Sequence, residues 1–194
     1  MLVDRSIKEF LNELKSETPT PGGGGVAALT AASGAALILM TANLTVTVEK
    51  YAKWHGICKY VISEVEPLLK KLEAGIDADA DHFSKLITAY KSKDSATIGA
   101  ASIDAATVPL EVMEMSVEAL EHCKSLLGNS NPNLKSDLHV AALCLKSAIM
   151  SAKYNVDENI QGMRKVDDAL ADEYMERAKS SLEKGVTIAL EILG

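Results

Sequence analysis

Pro19-Thr20-Pro21-Gly22-Gly23-Gly24-Gly25 runs directly into VAALTAASGAALILMTANLTVT over residues 26–47, and the fold is read from this stretch. Two prolines restrict the entrance, because each fixes its own φ. The four glycines then form a turn, from which a helix should run to about Thr47. Ala28, Ala32 and Ala36 make one row of small residues four apart, and Ala27, Ala31 and Ala35 make a second. Rows of this kind let neighbouring backbones approach closely, so the segment is expected to be a central helix surrounded by others. Asn43 falls on the row of Ala36 and is expected to face inward, where a buried amide needs hydrogen-bond partners. No charged residue lies between Glu17 and Glu49, a length that could span a bilayer. The stretch is rich in Ala, Thr, Ser and Gly before Leu37 and has no basic flank, so a buried core helix is expected and a membrane span is not.

Helical periodicity continues on both sides. Ser6-Ile7-Lys8-Glu9 has the capping-box pattern, and Ile7, Phe10, Leu11 and Leu14 follow at helical spacing. A third helix is expected over roughly Tyr51 to Leu72, kinked or restarted at Pro67. After Gly75, Asp77, Asp79 and Asp81 should open a separate helix with Phe83, Leu86, Ile87 and Tyr90 on its apolar face, since carboxylates suit a first helical turn. A long helix is expected from about Asp94 to Leu127, interrupted at Pro109 and closed by Gly128. Asn129-Ser130-Asn131-Pro132-Asn133 is a loop. Ser136 or Asp137 opens the next helix, with Leu138, Ala141, Ala142, Leu145, Ile149 and Ala152 on one face, and a last helix covers about Asp167 to Leu193. No strand pattern, repeat or linker divides the chain. The fold class is all-α: residues 1–194 form a single-domain helical bundle with a long central small-residue helix.

The chain has 194 residues, 47% of them hydrophobic and only 4% aromatic, so its core must be built from aliphatic side chains and alanine. A formal charge of −7 without any Lys/Arg-rich run argues against nucleic acid or anionic lipid as a partner. Cys58, Cys123 and Cys144 have no C-x-x-C spacing, which fits reduced thiols in a cytoplasmic protein. The glycine turn is neither a Walker loop, since no Gly-Lys-Ser/Thr follows, nor a dinucleotide fingerprint, since no strand precedes it. The Asp77-x-Asp79-x-Asp81 run fails as a calcium loop, with His82 at the turn-glycine position and Thr88 at the position of the bidentate Glu. Only Asp79-x-x-His82 approaches a di-iron Glu-x-x-His unit, so no metal site is expected. What remains is a set of polar residues on helices: Asn43, Asp79, Asp137, and the pair Asn155 and Asn159, which share a face at spacing four.

In order, Pro19-Thr-Pro-Gly-Gly-Gly-Gly25, Ala42-Asn43-Leu44-Thr45, Asp79-x-x-x-Phe83 with Ala89-Tyr90-Lys91, Gly128-Asn129 with Ser136-Asp137, and Asn155-Val156-x-x-Asn159 span most of the chain. This set resembles the cyclodeaminase domain of formiminotransferase-cyclodeaminase and its stand-alone relatives, among them methenyltetrahydrofolate cyclohydrolases. The resemblance implies an all-α homodimer that packs through helices, with a site for a tetrahydrofolate derivative between them and no cofactor beyond that substrate. It implies formiminotetrahydrofolate cyclodeaminase activity, which yields 5,10-methenyltetrahydrofolate and ammonia. Methenyltetrahydrofolate cyclohydrolase on the same scaffold is the alternative, and a non-catalytic folate-binding bundle a further one. Asp137 and Asp79 are then the candidate catalytic acid/base groups, with Gly22, Gly23, Gly24 and Gly25, Asn43, Asn155 and Asn159 as candidate substrate-binding residues. In this chain the fourth motif position is Gly25, and the basic cluster beyond Thr45 is reduced to Lys50 and Lys53.

Overall fold

The central segment becomes α2, Gly23–Val46, and the other helices are arranged by what can approach its small residues. In the computed structural model, which describes residues 1–194, the remaining helices are α1 (Ile7–Leu14), α3 (His55–Ser92), α4 (Ser95–Leu126), α5 (Lys135–Met163) and α6 (Asp168–Leu193). Short 3₁₀ turns at Glu49–Trp54 and Pro132–Leu134 lead into α3 and α5, and there is no strand. Helix α2 packs against α3, α4 and α5, while α6 closes the outside of α4 and α5. The alanine rows work as expected on one side: Ala27, Ala28, Ala31 and Ala35 are fully or almost fully buried. At Gly34 a Cβ would sit 2.8 Å from Leu145 Cγ and 3.1 Å from the Ala141 carbonyl oxygen, so glycine sets the closest approach of α2 to α5. The two run antiparallel, with Gly23 beside Asn155 at one end and Thr45 beside Asn131 at the other.

The sequence expectations need four corrections. The third and fourth helices are one helix, α3, that passes through Pro67 and Gly75 without ending. A mid-helix proline costs about 3 kcal/mol, but Val61, Val65, Leu68 and Leu72 bury their side chains on both sides of it, enough to hold the helix continuous. Pro109 likewise lies inside an unbroken α4 and is itself buried. The aspartates at 77, 79 and 81 therefore lie mid-helix, and their reason is tertiary. Asp77 accepts the backbone N–H groups of Leu2 (2.5 Å) and Val3 (3.4 Å), which ties the N-terminal segment to α3.

Helix α1 forms with its full capping box between Ser6 and Glu9, yet only Phe10 reaches the core, and Ile7 and Leu11 stay exposed. Asn43 and Ala36 also face solvent. Their face of α2 points away from all three neighbouring helices, so the inward placement expected for Asn43 does not hold. By length and composition α2 could cross a membrane; in this fold most of its surface is covered by α3, α4 and α5. The three cysteines are free, and burial pushes the Cys123 thiol up to about 12.

Gly34→Val should force α2 and α5 apart and lower stability by about 1–3 kcal/mol, as overpacked cores do. Gly56→Ala, where no atom lies within 4 Å of the new methyl, should be neutral or stabilise by at most about 1 kcal/mol. Urea unfolding of both proteins measures the contrast; equal midpoints would show that the α2–α5 approach is not limiting.

Candidate functional site

Helix α2 begins at bare backbone. Its N-cap is Gly22, which has no side chain to satisfy the first-turn N–H groups. One of them is satisfied from α3: Asp79 Oδ2 accepts the Gly25 N–H at 2.8 Å. The carboxylate can come this close only because Gly24 lacks a side chain. A Cβ there would fall 1.9 Å from Asp79 Oδ1 and 2.4 Å from its Cγ. Gly25 also faces Ile76, one turn earlier on α3, at 3.5 Å from the carbonyl oxygen to an ideal Cβ. The prolines bring the chain to this point along a bend in which Thr20–Pro21 is cis.

Around this contact lies a cavity of about 310 Å³ lined by the turn (Pro19, Thr20, Gly22, Gly23, Gly24), by Asp79 and Phe83 of α3, by Ala105 of α4, and by Asn155, Glu158 and Asn159 of α5. Four segments distant in sequence thus converge on it. Asn159 donates from Nδ2 to the Ala105 carbonyl (3.2 Å) and the Asn155 carbonyl (2.9 Å), which fixes its orientation across α4 and α5. Asn155 donates from Nδ2 to the Ser151 carbonyl (3.1 Å). In both amides the Nδ2 is engaged within the protein, and Oδ1 is the atom left for an incoming donor. Burial pushes the Asp79 carboxyl above the usual carboxylate range, against the opposing pull of the Gly25 N–H and the nearby His82. His82 itself is held through Nδ1 at 2.8 Å from the Asp104 carbonyl oxygen.

The expected site residues therefore divide. Gly22, Gly23, Gly24, Asp79, Asn155 and Asn159 meet around one cavity, with Gly25 bonded behind it. Asn43 and Asp137 do not join them within one chain. Asn43 is 19 residues along α2 from Gly24, about 28 Å at 1.5 Å per residue. Asp137 sits in the first turn of α5, 18 residues and about 27 Å from Asn155. Because α2 and α5 are antiparallel, both lie at the same far end. Glu158 and Thr20 line the cavity and were not expected. Glu158 had a signal, since it is three residues from Asn155 and adjacent to Asn159; Thr20 had only its place in the turn.

Larger clefts occur elsewhere on the surface, and two of them show how they differ from this one. One, about 540 Å³ between α3 and α4, presents Glu111, Glu114 and Glu118. Its Glu114 is already committed to Arg177 in a two-pronged ion pair at 2.9 and 3.1 Å. The other, about 660 Å³, lies between Trp54, Lys135 and the C-terminal residues. No three His, Cys, Asp or Glu side chains cluster as a metal site would require.

Comparison with known proteins gives a consistent picture. The family profile described as formiminotransferase-cyclodeaminase matches residues 6–180. The chain is 33% identical to the methenyltetrahydrofolate cyclohydrolase of Methylorubrum extorquens, over 94% of this chain and 91% of that protein. It is 28% identical to the formimidoyltransferase-cyclodeaminase of Rattus norvegicus, aligning along its whole length but with only 37% of the rat protein. Among solved structures, the formiminotetrahydrofolate cyclodeaminase of Thermotoga maritima superposes with a TM-score of 0.88 at 26% identity, over 100% of this chain and 98% of the other.

The raised Asp79 carboxyl makes a signed prediction about stability. The native carboxyl holds its proton more tightly than the unfolded one. Its protonation therefore adds stability in acid, and that contribution is lost as pH rises from the ordinary carboxylate range through the raised native value. Asp79→Asn, a neutral isostere that still accepts the Gly25 N–H, should be at least as stable as the parent at pH 8. The difference should shrink on acidification. Thermal melts at several pH values test this, and a variant less stable at pH 8 than at pH 4 relative to the parent would contradict it.

Proposed function

The chain belongs to the formiminotransferase-cyclodeaminase family, and from that premise we propose that it is a formiminotetrahydrofolate cyclodeaminase acting through Asp79. The observation that carries the reading is a half-buried carboxyl with raised proton affinity, hydrogen-bonded to the bare start of a helix and open to a polar cavity. The T. maritima cyclodeaminase, which matches this chain end to end, supports the same activity. The cavity is at the small end of the roughly 300–1,000 Å³ range of ligand sites. It suits the bicyclic head of a folate and leaves the aromatic arm outside.

In the reaction N10 of the substrate attacks the formimino carbon on N5. One proton leaves N10 and one arrives on the imino nitrogen, which gives a tetrahedral carbon carrying an amino group. A further proton on that amino group releases ammonia and leaves the cationic methenyl bridge between N5 and N10. A carboxyl whose proton affinity burial raises above the ordinary carboxylate range is the donor in the last step. Once it has donated, its negative charge lies beside the new cation and stabilises it. Glu158 adds charge of the same sign at the rim. The Oδ1 atoms of Asn155 and Asn159 are placed to accept N–H groups of the pterin ring. Nothing is oxidised or reduced, so acid–base groups and the substrate's own nitrogens suffice.

The M. extorquens relative favours a second reading, methenyltetrahydrofolate cyclohydrolase. There water adds to the methenyl carbon and a C–N bond opens, through a tetrahedral carbon at the same place between N5 and N10. The same carboxyl would take the proton of the attacking water and return it to the departing nitrogen.

Purified protein supplied with each folate separately distinguishes the two. Release of ammonia from formiminotetrahydrofolate supports the first, and loss of methenyltetrahydrofolate absorbance above the spontaneous rate supports the second. Asp79→Asn is expected to lower kcat by about 10²–10⁴-fold, the usual worth of a positioned acid/base group, with an unchanged circular dichroism spectrum. Gly24→Ala should lose activity as well, by displacing that carboxyl. Near-parental turnover in Asp79→Asn would remove Asp79 from the mechanism.

A further inference from the structure

Helix α4 carries a buried proline, and the backbone group which that proline releases lies at the site. Pro109 sits in the middle of Ser95–Leu126 and has no N–H to give. The carbonyl four residues earlier, that of Ala105, therefore has no partner in its own helix. Ala105 is only 7% exposed, so its oxygen is largely withheld from water, and an unmet buried carbonyl is costly. It is met from α5, where Asn159 donates to it from Nδ2 at 3.2 Å. Ala105 and Asn159 both line the cavity that holds Asp79.

This contact decides which way the Asn159 amide points. Nδ2 also donates to the Asn155 carbonyl at 2.9 Å, so both of its hydrogens are spent on acceptors from two different helices. A carbonyl oxygen cannot donate, so the flipped amide would set Oδ1 against two oxygens. The adjacent carbonyl of α4 is used in the same way: Asp104 accepts from Nδ1 of His82, three residues beyond Asp79 on α3, at 2.8 Å. One turn of α4 thus holds a side chain from α3 and another from α5. Pro67 makes the contrast. It removes the helical partner of the Ser63 carbonyl in α3, but Pro67 and Ser63 are both exposed, where water can serve the freed group.

We infer that Pro109 is a positioning residue of the site: by withholding an N–H from the Ala105 carbonyl, it reserves that oxygen for Asn159 and so fixes the amide that faces the substrate. The proline acts through Asn159 and does not touch the substrate. The inference rests on the proposed folate chemistry only for what Asn159 then does, which is to accept an N–H of the pterin ring. The contact itself stands without it.

Two measurements test it. Hydrogen exchange of the side-chain amides of Asn155 and Asn159, assigned in NMR spectra by their loss in Asn155→Asp and Asn159→Asp, reads the contact without substrate. In the parent, Asn159 should exchange more slowly than Asn155, whose Nδ2 has one such bond, to the Ser151 carbonyl. Pro109→Ala restores the N–H that closes the ordinary helical bond to Ala105, and Asn159 should then exchange roughly 2- to 10-fold faster, the worth of one hydrogen bond. An Asn159 amide that exchanges as fast as Asn155 in the parent, or that Pro109→Ala leaves unchanged, overturns the contact.

The second measurement is kcat/KM with the folate that the parent turns over. It should fall by about 10- to 10²-fold in Pro109→Ala, as misplacement of a positioning group does, and by at least as much in Asn159→Ala. The double variant should lose no more than Asn159→Ala alone, because both changes break one interaction. Pro67→Ala should match the parent. Losses that multiply in the double variant overturn the positioning role, since a general disturbance of α4 acts independently of residue 159. If the parent turns over neither folate, the functional reading fails, and the exchange measurement alone decides what Pro109 does.

Discussion

The hydrogen bond from the Gly25 N–H to the Asp79 carboxylate holds the rest of the molecule in register. It joins the first turn of the central helix to the middle of the longest one. It requires Gly24 to be bare, because a methyl there would overlap the carboxylate. It explains why a glycine run is placed where a capping Ser, Thr or Asp would ordinarily stabilise the helix start more cheaply. The cap is supplied instead from α3, 54 residues away in sequence, so closing the helix end and building the site are one event.

The same constraint shows which parts of the fold could be read in advance. Helix α2, with its buried alanine face, and helices α5 and α6, with regular apolar spacing, follow from local pattern. Pro67, Pro109 and the Asp77–Asp81 run mislead for a common reason. Each is a local break signal, and each is overruled by burial of the residues around it. Asp77 and Asp79 look like first-turn acids because helix starts attract carboxylates. They do sit at backbone N–H groups, but those of Leu2, Val3 and Gly25 rather than of their own helix. The chemistry was legible and its location was not.

The site divides along a similar line. Gly22–Gly24, Asp79, Asn155 and Asn159 were identifiable as residue types and meet as a unit. Asn43 and Asp137 were equally identifiable, yet periodicity placed Asn43 inward because it could not tell which alanine row faces the core. Ala28 and Ala32 are buried and Ala36 is not, so the face drifts along the helix. A small-residue helix has two usable faces. One received α3, α4 and α5, and the other, with Leu29, Ser33, Ala36, Asn43 and Leu44, faces outward.

The energetics of Asp79 connect this architecture to proton transfer. Desolvation disfavours the charged carboxylate, while the Gly25 N–H and His82 favour it. Were the hydrogen bond and the imidazole to dominate, the group would be a strong-acid carboxylate fixed in its ionised form and unable to donate. Were burial unopposed, it would remain protonated and could not return to the charged state that steadies a cation. Burial outweighs the two opposing influences, so the carboxyl sits above its ordinary range, and the balance is set by packing rather than by an ion pair. No lysine or arginine contacts Asp79 to hold it ionised. A charged partner would have been the simpler way to satisfy a buried carboxylate. A backbone N–H at a helix start supplies a weaker, geometrically fixed counterweight that leaves the proton exchangeable. In this fold the four glycines therefore set where the acid stands and also how readily it gives up its proton.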